Sequence, residues 1–162
     1  MKTNQPTTTK KEAIFLMGPP AAGKSSTRQK LFPGLPVIDP DEIKKTLPGY
    51  DPKNPSRVHL QSKVLARKQF EEMILGNSSF VYDTTGGNVE RMLREMAEAR
   101  ENGFTITILQ VTCSLEECLR RNRQRERTVP DEVVRSIWYE VREAASQLLP
   151  HADRVIKVDT SP

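Results

Sequence analysis

Aromatic side chains are scarce in this sequence, 6% of 162 residues, and it contains only two cysteines and two histidines. Cys113 and Cys118 have no histidine beside them, and His59 and His151 are far apart. Neither a zinc site nor a disulfide framework is expected, and the chain should have no disulfide partner. No apolar run approaches the roughly 18 residues needed to span a bilayer, and Met1–Lys11 lacks the apolar core of a signal peptide. The expectation is a cytoplasmic protein without membrane contact. A large charge excess is missing too: the net charge of +4 permits a polyanionic partner without requiring one. What is present is 36% hydrophobic and 28% charged, enough for one core in a chain of this length.

Met1–Lys11 has no periodicity and reads as a disordered leader, leaving 12–162 as a single domain. Ala13–Met17 is a continuous apolar run, as in a strand buried on both faces of a parallel sheet. Val37-Ile38, Phe80–Tyr82, Phe104–Val111 and Val155–Val158 read as four more strands. Helical patterns lie between them: Lys24–Leu31, one capped by Asn88 and stopped by Gly103, one opened by Ser114-Leu115-Glu116-Glu117, and one opened by Thr128–Asp131. In the last, Val133, Val134, Ile137, Trp138, Val141, Ala144, Ala145 and Leu148 recur at close to 3.6 residues, which makes Trp138 a core residue. Alternating strands and helices imply an α/β fold: a five-stranded parallel sheet with helices on both faces and a ligand crevice at the strands' carboxyl ends.

Gly18-Pro19-Pro20-Ala21-Ala22-Gly23-Lys24-Ser25 fits Gly-x-x-x-x-Gly-Lys-Ser without a mismatch, directly after a strand and opening a helix. This is a P-loop, and the three-layer P-loop NTPase fold follows. Backbone N–H groups of Gly18, Ala21, Ala22, Gly23 and Ser26 are expected to surround phosphate, Lys24 to add charge, and the Ser25 hydroxyl to hold Mg²⁺. No Asn/Thr-Lys-x-Asp segment reads guanine, and Tyr82-Asp83-Thr84-Thr85 has no acid after its aspartate, so neither a GTPase nor a ring-forming ATPase is favoured. Asp39-Pro40-Asp41 follows the second strand. Asp41 is the candidate general base for an attacking hydroxyl, whereas Asp39 divides between substrate binding and helix capping. Asp83, ending the third strand, is a candidate for the Mg²⁺ shell or a substrate group, with Thr84 next to it. Five arginines in Arg120–Arg127 repel one another and suit an anion, so residues 121–130 read as an Arg-rich helical lid closing over a triphosphate.

These residues resemble the phage-type polynucleotide 5′-hydroxyl kinases and their relatives, the zeta-toxin kinases, over residues 13–149. Gly18–Ser26, Ile38–Asp41 and Asp83-Thr84 follow the order and spacing of both groups. Arg121–Arg125, Val129-Pro130, Val134–Ile137 and Arg142-Glu143 are most similar to polynucleotide kinase. The resemblance implies ATP and Mg²⁺ as cofactors, Asp41 as base, and Arg121 and Arg125 on the phosphates, and the arginine cluster adds Arg127 to them. Lys44 stands where that family has a substrate-phosphate arginine, keeping the charge but not the bidentate fork. Leu47–Tyr50 with Val58–Ser62 resembles instead the zeta-toxin insertion at a sugar-nucleotide site. The leading expectation is a kinase of a hydroxyl on DNA or RNA, at a 5′ end or on a hydroxymethylated base as in phage DNA modification. The alternatives are a zeta-like kinase of a UDP-sugar or other metabolite, and a nucleotide-dependent nucleic-acid-binding module. The acceptor, the choice of ATP over GTP, and the oligomeric state are not fixed by the sequence.

Overall fold

The computed structural model describes residues 10–126 and 128–162, so most of the expected leader, and Arg127, lie outside the described residues. Five strands, β1 (Glu12–Met17), β2 (Val37–Ile38), β3 (Phe80–Asp83), β4 (Thr105–Thr112) and β5 (Arg154–Asp159), form one sheet. All four pairings are parallel, in the order β2-β3-β1-β4-β5. The central strand is the one with the unbroken apolar run, because helices cover both faces of the sheet. Alternate residues divide between those faces, Ala13, Phe15 and Met17 joining one core cluster and Ile14 and Leu16 the other. Register then sets the site. Phe15 and Ile38 both pair with Tyr82, so the next residues along, Asp39 and Asp83, end adjacent strands side by side.

The first face is covered by α3 (His59–Ile74), α4 (Val89–Glu101) and the later turns of α6 (Asp131–Leu148). Here the few aromatics are concentrated. Phe70 lies 6.3 Å from Phe15, 6.0 Å from Phe80 and 5.7 Å from Tyr82, between ring centroids. The other face carries α1 (Lys24–Leu31), α5 (Leu115–Arg123) and the start of α6. Trp138 packs there, half-buried, and its indole Nε1 donates to the Cys113 carbonyl at 2.8 Å. Cys113 and Cys118 are both free and buried, and burial beside Cys113 pushes the Cys118 thiol up to about 12. Among the described residues no helix is long and apolar enough to cross a membrane.

Local signals explain most ends. Asn88 Oδ1 accepts from the Arg91 N–H at 3.0 Å and Ser114 Oγ from the Glu117 N–H at 3.2 Å, and Gly103, at φ +89°, follows α4. Two expectations change. Thr128 does not cap α6, since Pro130 occupies the cap position without a side-chain bond. Helix α3 spans sixteen residues where the sequence shows no helical pattern. Its buried stripe begins with the polar Ser62 and the small Ala66, whereas Leu60 and Val64 are exposed.

Candidate active site

The P-loop joins β1 to α1 through a backbone that few residues accept. A Cβ on Gly18 would lie 2.5 Å from the Val111 carbonyl, and Gly23 takes φ +90°. Ala21 also has positive φ, 64°, uncommon for a residue with a side chain. The first intrahelical bonds at this end reach Gly23, with Thr27 donating to its carbonyl at 3.1 Å. The N–H groups of the first turn before Thr27 therefore point forward without helix partners. No acidic side chain occupies that turn, which leaves the positive helix end to an anion. Ser25 and Ser26 are exposed in the same turn. Lys24 folds back, its Nζ donating to the Gly18 carbonyl at 2.8 Å.

Burial pushes the Lys24 ammonium below its usual range; Asp83, Asp41 and Asp39 oppose this, and Arg125 adds to it. The expected residues are thus near enough to act on one buried cation. Burial raises the Asp83 carboxyl to about 6, Lys24 and Arg28 drawing it down and Asp39 and Asp41 pushing it up. Asp39 caps α2 (Pro40–Thr46): its Oδ1 accepts from the N–H groups of Asp41 at 2.9 Å and Glu42 at 3.3 Å. Burial raises its pKa as well, against those two bonds. The cap fixes where α2 begins, and so where Asp41, half exposed in the first turn, stands. Lys44, one turn on and nearly buried, lies 3.9 Å from Asp41.

Two further edges close the crevice. Thr84 N–H donates to Leu16 and Gly18 N–H to the Thr85 carbonyl, at 3.2 and 3.0 Å, so the segment after β3 is tied to the P-loop. On the α3 side, burial lowers the His59 pKa, and Lys44, Lys63 and Arg91 lower it further while Asp41 raises it. All four charges thus act at His59. Behind α2, on its opposite face, a cleft of about 570 Å³ is lined by Arg28, Asp39, Ile43 and Lys68 among others.

The arginine cluster divides by environment. Arg121, in α5, donates from Nε to Glu117 at 2.9 Å, and from its two terminal nitrogens to Thr160 Oγ1 at 3.0 Å and the Thr160 carbonyl at 2.7 Å. Thr160 Oγ1 in turn donates to the Ala22 carbonyl at 2.5 Å, so Arg121 braces the P-loop through the segment after β5. Arg120 and Arg121 hold the Glu117 carboxyl down at about 2. Arg123 pairs with Asp131 at 2.7 Å. Arg125 lies past the end of α5 with its side chain exposed. The connection to α6 is pinned at its base by the buried Asn122 side chain, which donates to and accepts from the Val129 backbone at 2.6 and 3.1 Å.

Sequence reasoning missed Arg28, Lys63, Arg91 and Thr160, and reached His59 only within the Val58–Ser62 resemblance. Of the missed residues only Arg28 carried a sequence signal, one helical turn after Lys24 and so on the same face. Among the described residues no group of three His, Cys, Asp or Glu could hold a metal ion by itself. Ser25 and Asp83 nonetheless offer hard oxygen donors of the kind Mg²⁺ uses when nucleotide phosphates and water complete its shell.

The fold and the loop define a P-loop nucleotide-binding domain. The chain belongs to the AAA domain family AAA_33, which matches residues 14–148. No curated protein matches it in sequence. The same fold occurs in the AvrRxo1-ORF1:AvrRxo1-ORF2 structure with ATP, at TM-score 0.75 and 21% identity over 87% of this chain and 50% of that one. It recurs in the PezAT toxin–antitoxin system of Streptococcus pneumoniae, at TM-score 0.75 and 16% identity over 93% and 69%. A third example is the Pnkp1/Rnl/Hen1 RNA repair complex, at TM-score 0.66 and 14% identity over 91% and 49%. The chain spans half the length of the AvrRxo1 chain it matches.

Proposed function

We propose that the protein is a kinase that moves the γ-phosphate of ATP to a hydroxyl on nucleic acid, at a 5′ end or on a hydroxymethylated base. The observation that carries this reading is that Asp41, 3.9 Å from Lys44, acts on both Lys24 and His59. Lys24 with Arg125 forms one group of cations, and Lys44 with Lys63 and Arg91, acting on a neutral His59, forms a second. The first set suits a triphosphate. The second suits an acceptor that carries phosphate itself, and Asp41 stands where the two would meet.

In this reading the first turn of α1 and Lys24 bind the β- and γ-phosphates, Lys24 exchanging its bond to Gly18 for phosphate oxygen. Asp41 accepts the proton of the acceptor hydroxyl as its oxygen bonds to the γ-phosphorus, the bond to the bridging oxygen breaks, and ADP departs. Arg125 neutralises the charge that develops on the transferred group. Mg²⁺, held by Ser25 and by Asp83 directly or through water, would neutralise the β- and γ-oxygens. Arg121 positions the loop instead of meeting the phosphates.

A zeta-like kinase of a UDP-sugar is the second reading. It is favoured by Lys44 in place of the arginine fork and by the position of α3 after the Leu47–Val58 segment. Transfer of labelled γ-phosphate to 5′-hydroxyl DNA and RNA, hydroxymethyl-base DNA, UDP-sugars and nucleosides separates them, with Lys24→Ala as the blank. Label on nucleic acid is the expected result. Label on UDP-sugar alone transfers the assignment to the second reading, and binding of nucleic acid without label on any acceptor favours a non-catalytic module.

A further inference from the structure

Arg91 sits in the first turn of α4, where the positive end of the helix disfavours a cation by a few tenths of a kcal/mol. It is nevertheless held there by a buried carboxylate. Glu95, one turn later and 2% exposed, lies 3.3 Å from Arg91 Nε through Oε1 and 3.6 Å from Arg67 Nη1 through Oε2. Neither contact has hydrogen-bond geometry: Arg91 Nε, Arg67 Nη1 and Glu95 Oε2 are buried without a directed partner. Arg67 is better served elsewhere, by Glu98 at 2.6 Å and Glu71 at 3.0 Å. A buried carboxylate paired this loosely contributes little to stability compared with an apolar residue in its place. What it does is fix the direction of Arg91, whose Nη2 reaches Thr84 Oγ1 at 3.4 Å on the rim of the acceptor crevice. The side chain is 30% exposed, and its charge acts at His59 together with those of Lys44 and Asp41.

We infer that Arg91 is the residue that grips the phosphate of the acceptor, with Glu95 as the positioning residue that aims it across Thr84. The inference rests on the kinase reading and adds to it the element that sequence alone leaves empty: a planar fork able to hold two phosphate oxygens, which Lys44 does not provide. A guanidinium carries five N–H groups, and the bond to Thr84 takes only one of that set. The fork is supplied by α4, beside the segment after β3, whereas Lys44 stands on α2.

Steady-state kinetics of the wild type, Arg91→Ala, Arg91→Lys and Glu95→Gln test this on whichever acceptor in the panel above the wild type labels. Arg91→Ala should raise KM for the phosphate-bearing acceptor about tenfold or more, the loss of one charge-assisted pair, while KM for ATP stays within about twofold. Arg91→Lys, which keeps the charge and the fold, should recover only part of that loss. Glu95→Gln should raise acceptor KM in the same direction with kcat less affected. An unchanged acceptor KM in Arg91→Ala overturns the inference and leaves the kinase reading standing. Equal rises in KM for ATP and for acceptor, or full rescue by lysine, also overturn it. Failure of the wild type to label any acceptor overturns both.

Discussion

At the scale of single residues, the site is governed by carboxylates taken partly out of water beside the part-buried Lys24. Asp83 shows the consequence for stability. Its folded-state pKa of about 6 lies above the ordinary 3.8, so the folded chain holds that proton more tightly than the unfolded one. The contribution is fully present below about pH 4 and is lost as the pH rises through 6. Asp83→Asn should therefore melt above the wild type at pH 7 in the absence of nucleotide, with the gap closing toward pH 4, while transfer is lost. Thermal melts at four pH values check it, and a gap independent of pH rejects it. Asp41→Asn separates chemistry from binding in another way. The variant should keep its melting temperature and ATP affinity and lose most of its turnover, within the range of about 10²–10⁴-fold typical of a general base. Wild-type turnover in that variant would remove Asp41 from the mechanism.

At the scale of elements, α5 and the connection after it perform two tasks that the sequence presents as one basic run. Arg121 is bound on three sides and Arg125 is exposed. Arg121→Ala should lower the melting temperature by roughly 3–6 °C, the loss of hydrogen bonds worth about 1–2 kcal/mol, and weaken ATP binding through the displaced Thr160. Arg125→Ala should leave the melting temperature unchanged and lower kcat. The reverse pattern in calorimetry and kinetics would exchange their roles. This division is not legible in the sequence, because the partner that distinguishes the two arginines, Thr160, is thirty-nine residues from Arg121 along the chain. Helix α3 was hidden for a different reason. In its first half the most apolar side chains, Leu60 and Val64, face solvent, and no capping side chain or acidic first turn marks its start. Strand β1, the P-loop and the Asn88 and Ser114 caps were legible because each depends on residues adjacent in sequence.

At the scale of the whole molecule, the alternation of strands and helices implies a parallel sheet with its crevice at the strands' carboxyl ends, and the observed strand order sets Asp39 and Asp83 side by side there. The positions of Asp41, Asp83 and Lys24 could be expected on that basis. The charges acting on His59 could not, since Lys63 and Arg91 come from two helices on the same face whose packing no local pattern encodes. Their sum bears on association. With a net charge of only +4, binding of a 5′-hydroxyl oligonucleotide should depend on this local set, and log affinity should fall with log salt at a slope of about −2 to −3, near −0.7 per contacted phosphate on a single strand. Fluorescence anisotropy between 50 and 200 mM salt measures it, and a flat profile argues against nucleic acid as the acceptor.

The bond from Thr160 to the Ala22 carbonyl gives this arrangement a practical use. A small fluorophore placed at position 162 rides two residues from that bond, so its emission should change on nucleotide loading, and an emission unchanged by ATP would argue that Thr160 does not follow the loop.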